Sequence, residues 1–501
     1  MKRLHLLLGN NSLKVMIAAL ILWMIISILA LSYLKPPRAD IKTDISMPSL
    51  ETCREEIKGA FKHAWFSYKR YSWGFDELMP VSRNGKNWLY MGSTIIDSLD
   101  TLWIFGMDEE FKEAKEWVKN SLDFSACDCE VSVFEVNIRI LGGLLSAYEL
   151  SKDSIFLQKA TELGDLMVHS FTLPHNFPYP KFNFKRKTGS SLDRSFLSIF
   201  EPNWKDTYLS LAGFGSLQLE LSALSHHTKN SIYANLANSI IKHVFNIWKE
   251  DLFPNKITLN GDYVDKFSVA AGVDSFYEYL LKEYLHTNKT NESLKERFVR
   301  SLNAVIDNLV GQDSSGLYFL GYKSNNALIP EFHQFACYYP GLMILAANSL
   351  PYLDKRDEII FLSQELASTC YQMNHKSATG LATESAMINN GIQFPILKNT
   401  DHGLRPETIE SFWYFYYYTH DAKYQKWGWE IFKAIQKYAK LSVGYSELQN
   451  ANTVPPGRTD RMQSYFLAET LKYLYLLLSE DQPFDLDEWV FNTEGHPLKV
   501  N

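Results

Sequence analysis

The stretch from Leu404 to Tyr418, LRPETIESFWYFYYY, decides how the rest of the chain is read. Pro406 suits the first turn of a helix, where its missing N–H and fixed φ cost nothing. Glu407 and Glu410 then fall one turn apart, close to Arg405, at the helix end whose dipole favours acids. The aromatic run from Phe412 to Tyr418 leaves no charged face, so this helix packs deeply and its acidic start faces a cavity. Such a helix belongs to a large helical core.

Segments on either side carry the same period. EEFKEAKEWVKNSL (109–122) sets Phe111, Ala114, Trp117 and Val118 on one face, and Phe432, Ile435 and Tyr438 do the same further on. Strand-like alternation is scarce, although Lys256 to Leu259 is a hairpin candidate. Residues 50 to 501 hold no Gly/Ser-rich linker and no shift in composition, which makes them one domain. Many helices joined by long loops suit a solenoid or a closed toroid, and no exact repeat chooses between them.

Composition narrows the class. Of 501 residues, 46% are hydrophobic and 21% charged, which excludes a disordered chain, a collagen-like repeat and a small disulfide scaffold. The net charge of -7, from 50 basic and 57 acidic residues, offers no field for a polyanion, so no nucleic-acid partner is expected. Aromatics at 14% either fill a core or make platforms for sugar faces.

The N-terminus reads as a membrane address. Val15 to Leu34 are twenty residues without a charge, enough to span about 30 Å of hydrocarbon as a helix. Lys2, Arg3 and Lys14 precede the run, favouring a cytoplasmic N-terminus. The run exceeds the h-region of a cleavable signal and no small-x-small site follows it cleanly. The expected organisation is a cytoplasmic tail (1–14), a transmembrane anchor (15–34), a lumenal stem (35–50) and a catalytic domain (51–501). In a lumen, Asn288 and Asn291 of HTNKTNESLKE become glycosylation acceptors. Asn10 also fits that pattern but would face the cytoplasm. Five cysteines, at 53, 127, 129, 337 and 370, leave at least one outside any internal pair. Cys127 and Cys129, one residue apart, are expected to be poorly placed to pair with each other.

Acids stand where the pattern predicts burial. Glu135 lies in VSVFEVNIRILGGLLSAY (131–148), with Arg139 one turn on; that spacing is also an ordinary helix-stabilising pair. In AAGVDSFYEYLLKEY (270–284), Asp274 is a candidate cap and Glu278 has only Lys282 as a cationic neighbour. Glu469 lies inside MQSYFLAETLKYLYLLLS (462–479), and VFNTEGHPL (490–498) reads as a strand ending at a buried site with Thr493 and Glu494. Five such segments argue for an acid-lined cavity suited to acid/base catalysis or a hard, oxygen-ligated cation.

In this order, these segments resemble the class I α-1,2-mannosidases, glycoside hydrolase family 47. The resemblance runs from about Cys53 to Leu498 and includes IIDSLDTLWIFGMDEEFKEAKEWV (95–118), LRPETIES (404–411), KYQKWGWEIF (423–432) and FNTEGHPL (491–498). It implies an all-α (α/α)7 barrel plugged by a C-terminal β-hairpin, and Ca2+-dependent, inverting removal of mannose from high-mannose N-glycans of glycoproteins. By motif, Glu135 matches the general acid, Glu407 the base and Asp274 a third catalytic carboxylate; inversion needs the carboxyls roughly 6.5–9.5 Å apart. Thr493 matches the residue that binds Ca2+ through its carbonyl and hydroxyl. Arg139, Glu278, Arg405, Glu410, Glu469 and Glu494 match the polar lining, and Tyr465 takes the place of a Phe under the sugar. Cys337 and Cys370 match the family's disulfide. The resemblance implies residence in the endoplasmic reticulum membrane, with the Golgi as the alternative. It leaves open an oxidoreductase or quality-control partner. Gly213, in LAGFGSLQLE (211–220), replaces an acid of the trimming enzymes, and Gly272 replaces an Arg of their reticulum type. Both changes resemble the degradation-enhancing mannosidase-like subgroup, whose implied alternative is a lectin-like factor with weak or partner-dependent activity.

Overall fold

The computed structural model describes residues 47–172, 177–190, 208–350 and 352–501. The expected tail, the expected span and residues 35–46 of the expected stem lie outside them. Among the described residues, no helix is long and apolar enough to cross a membrane.

Fourteen helices set the architecture of the described residues: α1 (Leu50–Ser72), α2 (Leu99–Ile104), α3 (Asp108–Ser121), α4 (Gly142–Ser151), α5 (Ser154–Val168), α6 (Gln218–Thr228), α7 (Ile232–Ile247), α8 (Asp274–His286), α9 (Glu292–Leu309), α10 (Tyr339–Ser349), α11 (Arg356–His375), α12 (Glu407–Thr419), α13 (Ala422–Tyr438) and α14 (Leu471–Leu477). Helices α2, α4, α6, α8, α10, α12 and α14 each pack on the next, and the turn Phe466–Thr470 ahead of α14 returns to α2. Each backs onto an outer helix: α3, α5, α7, α9, α11, α13 and, for α14, α1.

Sequence explains the two layers. From Ser275 to His286, α8 is buried on every side, as an inner helix must be. Outer α13 buries Phe432, Ile435 and Tyr438 on one face, and outer α3 buries Phe111, Ala114 and Val118. Trp117 is only half-buried and lies against Gly74 and Gly92, where a Cβ would collide with its ring at 3.3 and 2.4 Å. Lys256–Ile257 pairs with Leu209–Ser210, so the expected strand forms at the mouth of α6.

The C-terminal strands Trp489–Phe491 and Pro497–Lys499 form an antiparallel hairpin that touches the inner helices α4, α6 and α8. Phe491 sits 4.8 Å from Trp413 of α12, ring to ring. Cys337 pairs with Cys370 of α11, tying the turn Gln334–Tyr338 to the outer layer. Cys127 and Cys129 also pair, against expectation: bends at Asp128 and Cys129 bring their Cα atoms to 5.2 Å, within disulfide reach. Cys53 is free and buried.

Candidate active site

One cavity of about 500 Å³ collects all of the expected catalytic, sugar-lining and metal residues: Glu135, Arg139, Asp274, Glu278, Arg405, Glu407, Glu410, Tyr465, Glu469, Thr493 and Glu494. They come from the starts of inner helices, the loops before them and the turn of the C-terminal hairpin. Pro406 is the N-cap of α12, so Glu407 and Glu410 open that helix as expected. Asp274 is the first residue of α8 rather than its cap, which is Val273; its Oδ1 accepts from the Ser275 N–H at 2.8 Å.

Arg139 organises one wall. Its Nε donates to Glu135 Oε2 at 2.7 Å, and its Nη1 reaches Glu494, Asp97 (3.4 Å) and Ser464 (3.2 Å). Helix pairing therefore exists between Glu135 and Arg139, but it is one arm of a buried four-way contact. Arg405 organises a second cluster, donating from Nε to both oxygens of Glu384 at 2.9 and 2.8 Å while its guanidinium lies 3.7 Å from the Phe335 ring centre. Lys282, behind the cavity, pairs with Glu278 and stands 3.7 Å from Glu410. The Tyr465 hydroxyl donates to the Gly403 carbonyl at 2.6 Å and accepts from Gln463 at 2.8 Å, so the oxygen a Phe would lack is satisfied inside the wall.

Burial dominates the titration of these acids. It pushes Asp274 up to about 7, against the pull of the Ser275 N–H. It pushes Glu407 and Glu410 up to about 8, against the pull of Arg405 and of Lys282 respectively. Glu469 and Glu494 rise well above the carboxylate range, first through burial; Glu494 raises Glu469 further, while for Glu494 the pull of Arg139 opposes and Asp97 and Glu135 add to the rise. Seven carboxyls and three guanidiniums, those of Arg139, Arg405 and Arg461, line the space. One buried oxygen, Glu407 Oε2, has no hydrogen-bond partner among the described residues.

Thr493 sits in the hairpin turn. Asn492 fixes that turn: its Oδ1 accepts from the N–H groups of Glu494 (2.9 Å) and His496 (2.8 Å), and its Nδ2 donates to Glu220 at 2.8 Å. The Thr493 N–H donates to Tyr279 at 3.4 Å, while its carbonyl and hydroxyl take part in no hydrogen bond among the described residues. Among those residues no trio of His, Cys, Asp or Glu forms a metal cage. The donors available are oxygens in an acid-rich cavity, a set that fits a hard cation completed by water and ligand hydroxyls.

Sequence reasoning missed the floor beneath this turn. His496 Nδ1 meets Asp100 Oδ2 at 2.7 Å, Lys472 Nζ meets Asp100 Oδ1 at 2.9 Å and donates to the Gly495 carbonyl at 2.6 Å, all fully buried. Asp97 and Asp100 carry the same signal as the acids identified above, carboxylates inside an apolar run. Glu384 gives a weaker signal, because Thr383 and Ser385 flank it directly within a mixed stretch.

Comparison with known proteins places these features in a lineage. Residues 60–500 match the model of glycosyl hydrolase family 47. The chain is 37% identical over 458 residues to human mannosyl-oligosaccharide 1,2-alpha-mannosidase IB, covering 89% of this chain and 70% of that one. It is 39% identical over 459 residues to the rat endoplasmic reticulum mannosyl-oligosaccharide 1,2-alpha-mannosidase, covering 88% and 67%. The solved alpha-1,2-mannosidase from Trichoderma reesei superposes with a TM-score of 0.80 at 28% identity, covering 90% of this chain and 99% of that one.

Proposed function

The chain belongs to glycosyl hydrolase family 47, and on that premise we propose that it removes α-1,2-linked mannose from high-mannose N-glycans by inverting hydrolysis. The helix pairs are then an (α/α)7 barrel whose floor is closed by the hairpin. The observation that carries the reading is the gathering of Glu135, Asp274 and Glu407 in one acid-lined cavity above Thr493.

Inversion needs a carboxylic acid to protonate the leaving oxygen and a carboxylate to take a proton from the attacking water. Glu407 is placed for the second role by its unpartnered Oε2; burial pushes it up to about 8, and Arg405 pulls the other way, towards the ionised form the role uses. Glu135 is the acid of the first reading, positioned by Arg139 Nε and by its Ser132 cap. Asp274, the first residue of α8, brings a third carboxyl to the same cavity, and burial pushes it up to about 7. Thr493, through its carbonyl and hydroxyl, would hold Ca2+, which supplies a positive point that orients sugar hydroxyls.

The charge-free run 15–34 supports a type II anchor in the endoplasmic reticulum membrane, with the domain in the lumen, where trimming would feed glycoprotein degradation. Asn288 is exposed between α8 and α9, as a glycan acceptor requires, and Asn291, half-buried, is the N-cap of α9. Gly213 favours a second reading, a glycan-binding factor that cuts poorly: a Cβ there would meet only Ser210, at 3.5 Å, so that wall presents no acid.

An isomer-resolved glycan-release assay on the purified protein separates the two. Hydrolysis predicts free mannose from a Man9 glycan, and Glu407→Gln lowers the rate by about 10²–10⁴, the usual worth of a general base. Binding without release overturns the hydrolase reading, and full activity in E407Q overturns the base assignment.

A further inference from the structure

The two disulfides differ in what they hold. Cys337–Cys370 is fully buried, spans 33 positions and joins two layers of the domain. Cys127–Cys129 spans two positions, and both cysteines are partly exposed with exposed neighbours on either side. A ring that small removes little freedom from the unfolded chain, so it contributes little as a staple. The loop also has other anchors. Asp128, between the two cysteines, is gripped by Arg186 Nε at 2.6 Å and by Asn183 Nδ2 at 2.9 Å, and Val131 pairs with Phe182 just beyond. These contacts tie the loop to the strands at 181–190 independently of the sulfur bridge. An accessible disulfide that closes so small a ring, in a loop with anchors of its own, has the features of a site for exchange.

We propose that Cys127–Cys129 is a thiol–disulfide exchange site, turned over by an external thiol. An incoming thiolate attacks one sulfur and forms a mixed disulfide; the Cys127–Cys129 bond breaks and its electron pair leaves with the other sulfur, which takes a proton from water. A second thiolate from the reductant attacks the mixed disulfide, forming the oxidised reductant and releasing the second cysteine as a thiol. Two electrons pass to the pair, and the reverse steps return them. The reductant is a low-molecular-weight thiol or a protein dithiol, which share this chemistry. The pair lies three residues ahead of Ser132, whose hydroxyl accepts from the Glu135 N–H at 3.3 Å, so exchange takes place next to the active-site wall. It does not depend on which reaction that site performs.

The folded protein is exposed to reduced glutathione in one arm. In the other it meets a thioredoxin-type dithiol protein whose second cysteine is replaced by Ser, so that a mixed disulfide persists. Opened thiols are alkylated and located by mass spectrometry. Cys127 and Cys129 are expected to label at least about tenfold faster than Cys337 and Cys370, with a trapped mixed disulfide at Cys127 or Cys129 in one or both arms. C127S/C129S is expected to trap nothing while keeping the wild-type circular dichroism. Equal labelling of both pairs, labelling only on unfolding, or no mixed disulfide in either arm overturns the proposal. Loss of fold in C127S/C129S overturns it too, because the bridge would then be a staple.

Discussion

His496 offers a test of the barrel floor that no activity assay is needed to read. Its ring is fully buried with Nδ1 at 2.7 Å from Asp100 and Nε2 at 3.4 Å from Asp97. Burial alone would lower its pKa, but Asp100 outweighs burial and the repulsion of Lys472, and the ring is pushed up from 6.5 to about 9. A folded-state pKa above the unfolded one means the folded state binds the proton more tightly. The stabilisation is therefore complete below pH 6.5 and disappears as pH rises through about 9. At about 1.36 kcal/mol per unit of pKa, the rise amounts to about 3 kcal/mol. An unfolding entropy of about 2.1 cal/mol/K per residue over about 450 residues turns that into about 3 °C. The perturbation is His496→Gln, which removes the titrating ring but leaves Asp100 paired with Lys472. Melting temperatures of both proteins are measured by scanning calorimetry from pH 6 to 10. Wild type is expected to lead H496Q by the largest margin near pH 6, and the margin is expected to shrink by about 3 °C by pH 10. A margin that stays constant, or widens with pH, refutes the ion pair as the source of the floor's stability.

Three further outcomes follow from the same geometry. Chelation by EDTA is expected to abolish mannose release and lower the melting temperature, and Ca2+ at about 100 times its Kd is expected to restore about 2.7 kcal/mol of stability; calorimetry with and without Ca2+ checks the second effect separately from activity. Replacing Cys337 and Cys370 by Ser is expected to cost about 3–4 kcal/mol in denaturant unfolding, against less than about 2 for Cys127 and Cys129, because the larger loop gains more freedom when opened. Gly213→Glu restores an acid where a Cβ meets no contact nearer than 3.5 Å, so it is expected to fold normally and shift the order in which glycan isomers appear on chromatography.

The parts of the site visible in the sequence were those whose cost is local. A carboxylate among apolar residues needs a reason, and Glu135, Glu278, Glu407, Glu410 and Glu469 all found one in the same cavity. Asp97 and Asp100 show the same signal, and their partner His496 lies almost four hundred residues away, where nothing in either segment announces the other. Glu384 was silent because, between Thr383 and Ser385, nothing local shows that Arg405, twenty-one residues on, folds onto it. The Cys127–Cys129 pair was misread because residues in extended chain stand too far apart, and a bend that no residue there demands brings them together.

Helical periodicity also hid how two inner helices begin. Val136–Leu141 and Phe466–Thr470 are π-helical turns, each inserting an extra residue into the 3.6-residue count. Arg139 and Glu469 sit inside those turns, and both face the cavity. An inserted residue turns whatever follows it by about 100° relative to a strict α-helix, yet Arg139 keeps its one-turn pairing with Glu135. Wide turns of this kind give up regular hydrogen bonding locally, and here they occur where a guanidinium and a carboxyl must be aimed at the same space as Thr493 and Glu494. The sequence pattern locates the helices because their packing is periodic. At the site that period breaks, in the same two turns that carry Arg139 and Glu469 to the cavity.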